Sequence, residues 1–317
     1  MGVTAGACGR MEYGYRRTQA MKTATAKTAV GFRNILYATD FSAAAASAIP
    51  YVKRIAKHYE ANLVVLNTHS PVVNPMTPPE TWAAAEVAAE ARDQEHREVL
   101  LSTFAGIPTQ VVIKEGGIQD ILEETIEKSN TDLVVIGTRG RTGLGKLLLG
   151  SVAEEILRTT TCPVLTVGPY ANQSRGADGQ IREILYATDF TSGTQSAAAY
   201  AVSLAEEFQA RLVFLHVVPE LEPNDLVIAS DVVTSSKALL EKLLPEEAKD
   251  WCRPEYLVEQ GNPAEKILEL AHFRESDLIV LGVKPAEGVP GAAVHLPIST
   301  AHKVISHATC PVMTVRS

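Results

Sequence analysis

Ile35-Leu-Tyr-Ala-Thr-Asp-Phe41 returns letter for letter as Ile184-Leu-Tyr-Ala-Thr-Asp-Phe190, 149 residues further along the chain. The displacement holds from the NLVVLN run at Asn62 to RLVFLH at Arg211. It falls to 145 between Asp132 and Asp277 (DLVVIG, DLIVLG) and recovers to 148 between Cys162 and Cys310 (CPVLTV, CPVMTV). The second copy has therefore lost four residues in mid-domain and regained three within one loop. Solenoid units repeat every 20–50 residues or so, so a repeat on this scale means two whole domains.

Working outward from the first ILYATDF, apolar runs occupy Ile35–Ala38, Leu63–Leu66, Gln110–Ile113, Leu133–Ile136 and Val164–Val167. Short, continuous and rich in Val, Ile and Leu, they read as strands buried on both faces. Helical periodicity fills the intervals at Ala43–Tyr59, Thr81–Phe104, Ile118–Ser129 and Ser151–Thr159. Strict β-α alternation with right-handed crossovers gives an α/β fold, a doubly wound five-stranded parallel sheet in each copy. The second copy repeats the order, with strands near Ile184, Leu212, Glu255, Leu278 and Val312. Its helices fall at Ser196–Phe208, Asp225–Leu244, Pro263–Phe273 and Ser299–Ser306. Pro50 should kink or delay the first helix, whereas the second copy has Ala199 there.

The expected organisation is a tail (1–30), a first domain (31–169), a polar linker (170–180) and a second domain (181–317). The tail carries Arg10, Arg16, Arg17, Lys22 and Lys27 against Glu12, a local +4. The net charge of −8 thus leaves −12 on the body. An acidic body repels a phosphate backbone, which argues against nucleic acid as main partner. The tail's Gly, Ala and Thr offer little to bury, so it reads as disordered, with Met11 and Met21 as alternative starts. No apolar run reaches the roughly 18 residues of a membrane span, and no signal-peptide stretch opens the chain, so a cytoplasmic protein is expected. Cys8, Cys162, Cys252 and Cys310 form no Cys-x-x-Cys pair and the histidines are scattered, which argues against a metal centre or a disulfide framework. Four prolines in the nine residues Pro71–Pro79 predict a stiff surface loop.

Ligands of open α/β sheets sit beyond the carboxyl ends of the strands, where the strand order reverses. In the first copy the fourth strand ends there in Gly137-Thr-Arg-Gly140. Nine residues later Gly150-Ser151 opens a helix, giving Gly-x2-Gly-x9-Gly-Ser. Glycines at 137 and 140 permit φ above zero and leave backbone N–H groups accessible to an anion. Gly150 opens space where the loop returns. Ser151 and Glu154 have capping-box spacing at a helix N-terminus, whose dipole favours phosphate. Arg139, Arg141 and Lys146 add positive charge, so the loop reads as a polyphosphate cradle. Asp40, ending the first strand, is suited to accept from a ribose hydroxyl or to help hold a divalent metal; it would equally cap the following helix.

With these motifs in place, the chain from about Phe32 onward resembles a tandem universal stress protein. The resemblance implies ATP binding, with magnesium, in a stress-linked regulatory role. It implies that Ala38, Thr39 and Asp40 line the adenosine, that Thr68 contacts adenine, and that Gly137, Gly140, Gly150, Ser151 and Val152 surround the phosphates. It also implies pairing of the two copies through Val164–Val167 and Val312–Val315 as an internal pseudo-dimer, with further association into homo-oligomers left open.

The second copy departs at the cradle. Gly282-Val-Lys-Pro285 puts proline at the second glycine position, Ile298 stands for Gly150, and the loop has no arginine. A degenerate site without nucleotide is expected there. No Ser-His-Asp or Cys-His constellation accompanies the motif, so binding rather than catalysis is expected, with slow ATP hydrolysis through a water oriented at Asp40 as the one enzymatic option. Adenylating enzymes of the same fold carry a Ser-Gly-Gly-x-Asp-Ser or His-x-Gly-His element near the first strand, which here reads Ala-Thr-Asp-Phe-Ser. A nucleotide-independent scaffold is the other alternative.

Overall fold

In the computed structural model, which describes residues 30–70, 78–138, 151–168, 170–171, 181–191, 194–220, 226–283 and 300–316, each apolar run becomes a strand. The first copy gives β1 (Asn34–Ala38), β2 (Asn62–His69), β3 (Thr109–Glu115), β4 (Leu133–Gly137) and β5 (Val164–Val167). The second gives β6 (Glu183–Thr188), β7 (Arg211–Val218), β8 (Glu255–Gln260), β9 (Leu278–Val283) and β10 (Val312–Arg316). The expected tail up to residue 29, the loop at 71–77, the phosphate loop at 139–150 and the linker at 172–180 lie outside the described residues.

All ten strands join one sheet in the order β3-β2-β1-β4-β5-β10-β9-β6-β7-β8. Pairing within each copy is parallel, and β5 meets β10 antiparallel. Strand order reverses between β1 and β4, and again between β6 and β9. Those are the two switch points where ligands of such sheets collect.

Because strand side chains alternate faces, the sheet generates two cores, one on each side. On one side Ile35 and Tyr37 pack beneath α2 (Ile49–His58), the end of α3 (Trp82–Thr103), α6 (Thr194–Phe208) and α7 (Leu226–Glu241). On the other, Leu36 and Ala38 pack beneath α4 (Ile118–Ser129), α5 (Ser151–Thr159), α8 (Pro263–Phe273) and α9 (Thr300–His307). Both cores contain residues of both copies.

The first predicted helix is divided. α1 (Ala43–Ala46) stops, Ser47 and Ala48 intervene, and α2 restarts with Pro50 in its opening turn, where the missing N–H costs nothing. With Ala199 at the matching place, α6 runs unbroken.

The junction obeys a pseudo-two-fold axis through the pair Leu165–Met313. Thr166 Oγ1 donates to Val312 O at 2.9 Å and its counterpart Thr314 Oγ1 donates to Val164 O at 3.4 Å. At the entry of β1, Asp132 accepts from the N–H groups of Arg33 (2.7 Å) and Asn34 (3.2 Å), and at the entry of β6 Asp277 accepts from those of Arg182 (2.8 Å) and Glu183 (3.1 Å). Each aspartate thus staples the entry of one first strand. The copies differ beside the second staple. There the buried Glu183 carboxylate is met by Arg274 Nε at 3.1 Å and Arg211 at 3.0 Å, where the first copy has neutral Asn34 and Asn62.

Candidate functional site

The turn that ends β1 is built from its own side chains. Phe41 N–H donates to Thr39 Oγ1 (3.1 Å) and Ser42 N–H donates to Asp40 Oδ1 (2.9 Å). Ser42, not Asp40, caps α1, its hydroxyl accepting from Ala45 N–H at 3.1 Å. The capping alternative for Asp40 is therefore replaced by an Asx turn, which holds an exposed carboxylate at the switch point. Asn67, buried on β2, donates from Nδ2 to Thr39 O at 2.7 Å and fixes the turn from the neighbouring strand.

Phe41 sits at φ 59°, a left-handed conformation that costs a bulky residue about 1–3 kcal/mol. Phe190 has the same φ of 59° and repeats the bond to Thr188 Oγ1 at 3.0 Å, while Asp189 Oδ1 accepts from Thr191 N–H (3.0 Å) and Oγ1–H (2.6 Å). Both copies pay the same strain to place a carboxylate at the same point. Sequence reasoning overlooked Phe41; its signal was a large aromatic retained inside a turn in two otherwise diverging copies.

Gly137 does not use the positive φ that its glycine would permit, but it is required sterically. It is absent from the described residues of positive φ; instead, a Cβ there would lie 2.1 Å from Ala44 O. The end of β4 is crossed by the backbone of α1. That crossing is pinned by Tyr37, whose hydroxyl donates to Ala45 O at 2.8 Å and whose pKa is pushed up to about 12, chiefly by burial. Thr68 lies on β2 opposite Lys114, half-buried. Ser151 and Val152 open α5. Arg139, Gly140 and Gly150 lie outside the described residues.

In the second copy the corresponding positions surround a crevice of about 280 Å³. Its wall holds Ala187, Thr188 and Asp189, the counterparts of Ala38, Thr39 and Asp40. It also holds Val217, Gly282 and Thr300, which correspond to Thr68, Gly137 and Val152. Six positions drawn from four separate segments converge on one crevice. The fold thus brings the second-copy counterparts of the expected site residues into one crevice. No group of His, Cys, Asp and Glu able to hold a metal ion by themselves occurs among the described residues. A cation at this switch point would therefore need ligand oxygens beside those of Asp40.

α5 and α9 leave the two switch points and cross near the pseudo-two-fold axis, where Glu154 Oε1 lies 3.6 Å from His302 Nε2. Arg316, at the end of β10, donates to the carbonyls of Leu157 and Arg158 in the last turn of α5.

Comparison with known proteins agrees with this architecture. The sequence model of the universal stress protein family matches residues 31–168 and again 180–316. A universal stress protein of Mycolicibacterium smegmatis is 26% identical over 293 residues, covering 89% of this chain and 96% of that protein. One of Methanocaldococcus jannaschii is 30% identical over 141 residues, 43% of this chain and 82% of that protein. Among solved structures, a universal stress protein from Archaeoglobus fulgidus superposes with a TM-score of 0.67 at 20% identity, covering 89% of this chain and 98% of that one, a likeness of fold.

Proposed function

This chain belongs to the universal stress protein family, and from that premise we propose that it is a cytoplasmic stress-response regulator whose first domain alone binds ATP with magnesium. The domains are taken as 31–169 and 181–317, joined by 170–180 and preceded by the tail 1–30. The observation that carries the reading is the convergence of the second copy's Ala187, Thr188, Asp189, Val217, Gly282 and Thr300 on one crevice. The first copy adds to the same framework what a triphosphate needs: Gly140, Gly150 and Arg139 in the loop after β4.

In this reading Ala38 and Thr39 support the nucleoside and Asp40 accepts from the ribose or helps hold the cation. Thr68 offers a hydroxyl at the base, and the opening of α5 at Ser151 and Val152 faces the phosphates with its positive end. Magnesium bound with ATP would neutralise charge on the phosphate oxygens. The protein's part is to hold and orient. Occupancy would bias α5, whose Glu154 and last-turn carbonyls touch the second domain.

Calorimetry with ATP and magnesium tests the proposal. One site per chain is expected. Gly140→Pro and Gly150→Val should abolish binding with the circular dichroism spectrum unchanged, and Pro285→Gly should gain nothing. A stoichiometry near two, or binding that survives both loop substitutions, overturns it.

A further inference from the structure

A cavity of about 760 Å³ opens where the two copies meet, within the roughly 300–1,000 Å³ of ligand sites, which favour such junctions. The first copy supplies Tyr51 and Arg54 of α2, with Tyr170 after β5. The second supplies the last turns of α8, the entry of β9 at residues 275–277 and the entry of β10 at residues 309–311. The cavity shares no residue with the second-domain crevice, which lies at the other end of β9.

The repeat provides a control, because the matching corner of the molecule is closed and neutralised. There Ser203 stands for Arg54 and accepts from Val30 N–H at 2.7 Å, while Phe32 stacks on Tyr200, the counterpart of Tyr51, with ring centroids 6.3 Å apart. Lys128 stands for Phe273 and pairs with Glu124, and neutral Asn130 stands for Glu275. At the open corner the lysine has become a phenylalanine ring 82% exposed, and a carboxylate occupies a left-handed position, φ 59°, that asparagine suits better. Glu269, the counterpart of Glu124, is left with Lys266 at 2.9 Å, a surface pair of the kind that is worth little.

Three carboxylates, Glu269, Glu275 and Asp277, line the cavity against one guanidinium. Arg54 is already engaged, lying 5.2 Å from the Tyr51 ring and beside Asp277. α8 ends here at Phe273 and α9 at His307, and helix C-termini add about half a negative charge each. The cavity therefore selects a cation. No group of His, Cys, Asp and Glu among the described residues could hold a metal ion. The negative charge is thus spread along the wall, and a ligand's positive charges must be spread to match. The exposed rings of Tyr170 and Phe273 offer faces to an ammonium.

We infer that this cavity binds a linear aliphatic polyamine. One ammonium meets Glu275 and the closing carbonyls of α8, another meets Glu269 and the Phe273 ring, and the methylene chain lies along Tyr51 and Pro311. The inference does not rest on the nucleotide reading.

The test is calorimetry and amide NMR on the full chain with spermidine, butylamine and magnesium chloride, at about 150 mM salt, which screens weak surface attraction. Spermidine should bind once per chain and shift the amides of Phe273, Glu275, Ser276 and Thr309 saturably. Butylamine, with a single charge, should bind at least about tenfold more weakly, and magnesium at equal ionic strength should not displace spermidine. Glu275→Gln should weaken spermidine about tenfold or more, as loss of a charged acceptor predicts. Phe273→Lys, which restores the residue of the closed corner, should abolish binding. Both side chains are exposed, so the circular dichroism spectrum should not change. No saturable shift at these amides, butylamine binding as tightly, displacement by magnesium, or parent-like affinity in either variant each overturns the inference.

Discussion

Gly137→Ala separates the steric reason for this glycine from a role at phosphate. The added Cβ would stand 2.1 Å from Ala44 O and 2.6 Å from Ala45 Cα, so one backbone must retreat by about 1 Å to reach even the tightest real contact, near 3.0 Å. β4 is hydrogen-bonded to β1 on one side and β5 on the other, whereas α1 is a four-residue turn. α1 therefore moves. In moving it takes Ala45 O away from the Tyr37 hydroxyl, a bond of 2.8 Å inside the core. Overpacking costs about 1–3 kcal/mol and a buried hydroxyl stripped of its acceptor about 1–3 kcal/mol. Because relaxation of α1 exchanges one for the other, a loss of about 1–3 kcal/mol is expected from urea unfolding followed by circular dichroism. The mechanism makes a second, sharper demand. Tyr37→Phe should cost about 1 kcal/mol in the parent chain and close to nothing in the Gly137→Ala background, because the bond it removes is already gone. A Gly137→Ala chain within about 0.5 kcal/mol of the parent, or equal Tyr37→Phe costs in both backgrounds, would refute the reasoning.

The Glu183 cluster and the strand-entry cysteines supply two more tests. Arg274→Ala should destabilise the chain by about 3 kcal/mol, since it leaves a carboxylate with 3% side-chain exposure without its less exposed partner. Arg211→Ala, removing a partner 75% exposed, should cost about 1 kcal/mol or less; equal effects would show the burial argument to be wrong. Burial pushes the Cys162 thiol up to about 11 and raises that of Cys252, so both should resist iodoacetamide at pH 8 in the folded chain and react in urea. Rapid native alkylation of Cys162, mapped by mass spectrometry, would contradict this.

The fold was legible because its signals are local. Runs such as Leu63–Leu66 and Leu133–Ile136 admit no other partner than a helix on each face, and the repeat doubled every observation. The pairing of β5 with β10 followed from two short apolar strands needing cover, together with the family resemblance. At the candidate site the sequence pointed to Asp40 and Gly137, but the local geometry of each was not readable. Whether Gly137 needs a positive φ or an absent Cβ depends on where α1 crosses, a tertiary fact settled by Pro50 and the Tyr37 hydroxyl. The αL turn at Phe41 was readable only in part: Thr39 Oγ1 and Asp40 Oδ1 accept from the N–H groups two residues on, a local device, but the bond from Asn67 to Thr39 O that fixes the turn comes from the neighbouring strand. Glu183 gave no warning because its partners Arg211 and Arg274 are 28 and 91 residues away.

Joining the copies in one chain permits what two identical chains could not do. In a symmetric dimer, a residue on the two-fold axis meets itself. The position 154/302 does so here, as each is the other's counterpart in the repeat, and it holds Glu154 against His302 rather than glutamate against glutamate. The same freedom operates at 168/316. There Gly168 lies near the carbonyls of Ile305 and Ala308 at the end of α9, while Arg316 reaches the carbonyls of Leu157, the counterpart of Ile305, and of Arg158 in α5. The axis that remains strict is the one in the sheet, where Thr166 and Thr314 bond each other's strands. Symmetry is thus kept where backbone pairing requires it and abandoned between the helices that follow the two switch points. That arrangement lets the sequences that follow β4 and β9 diverge without the sheet registering the difference.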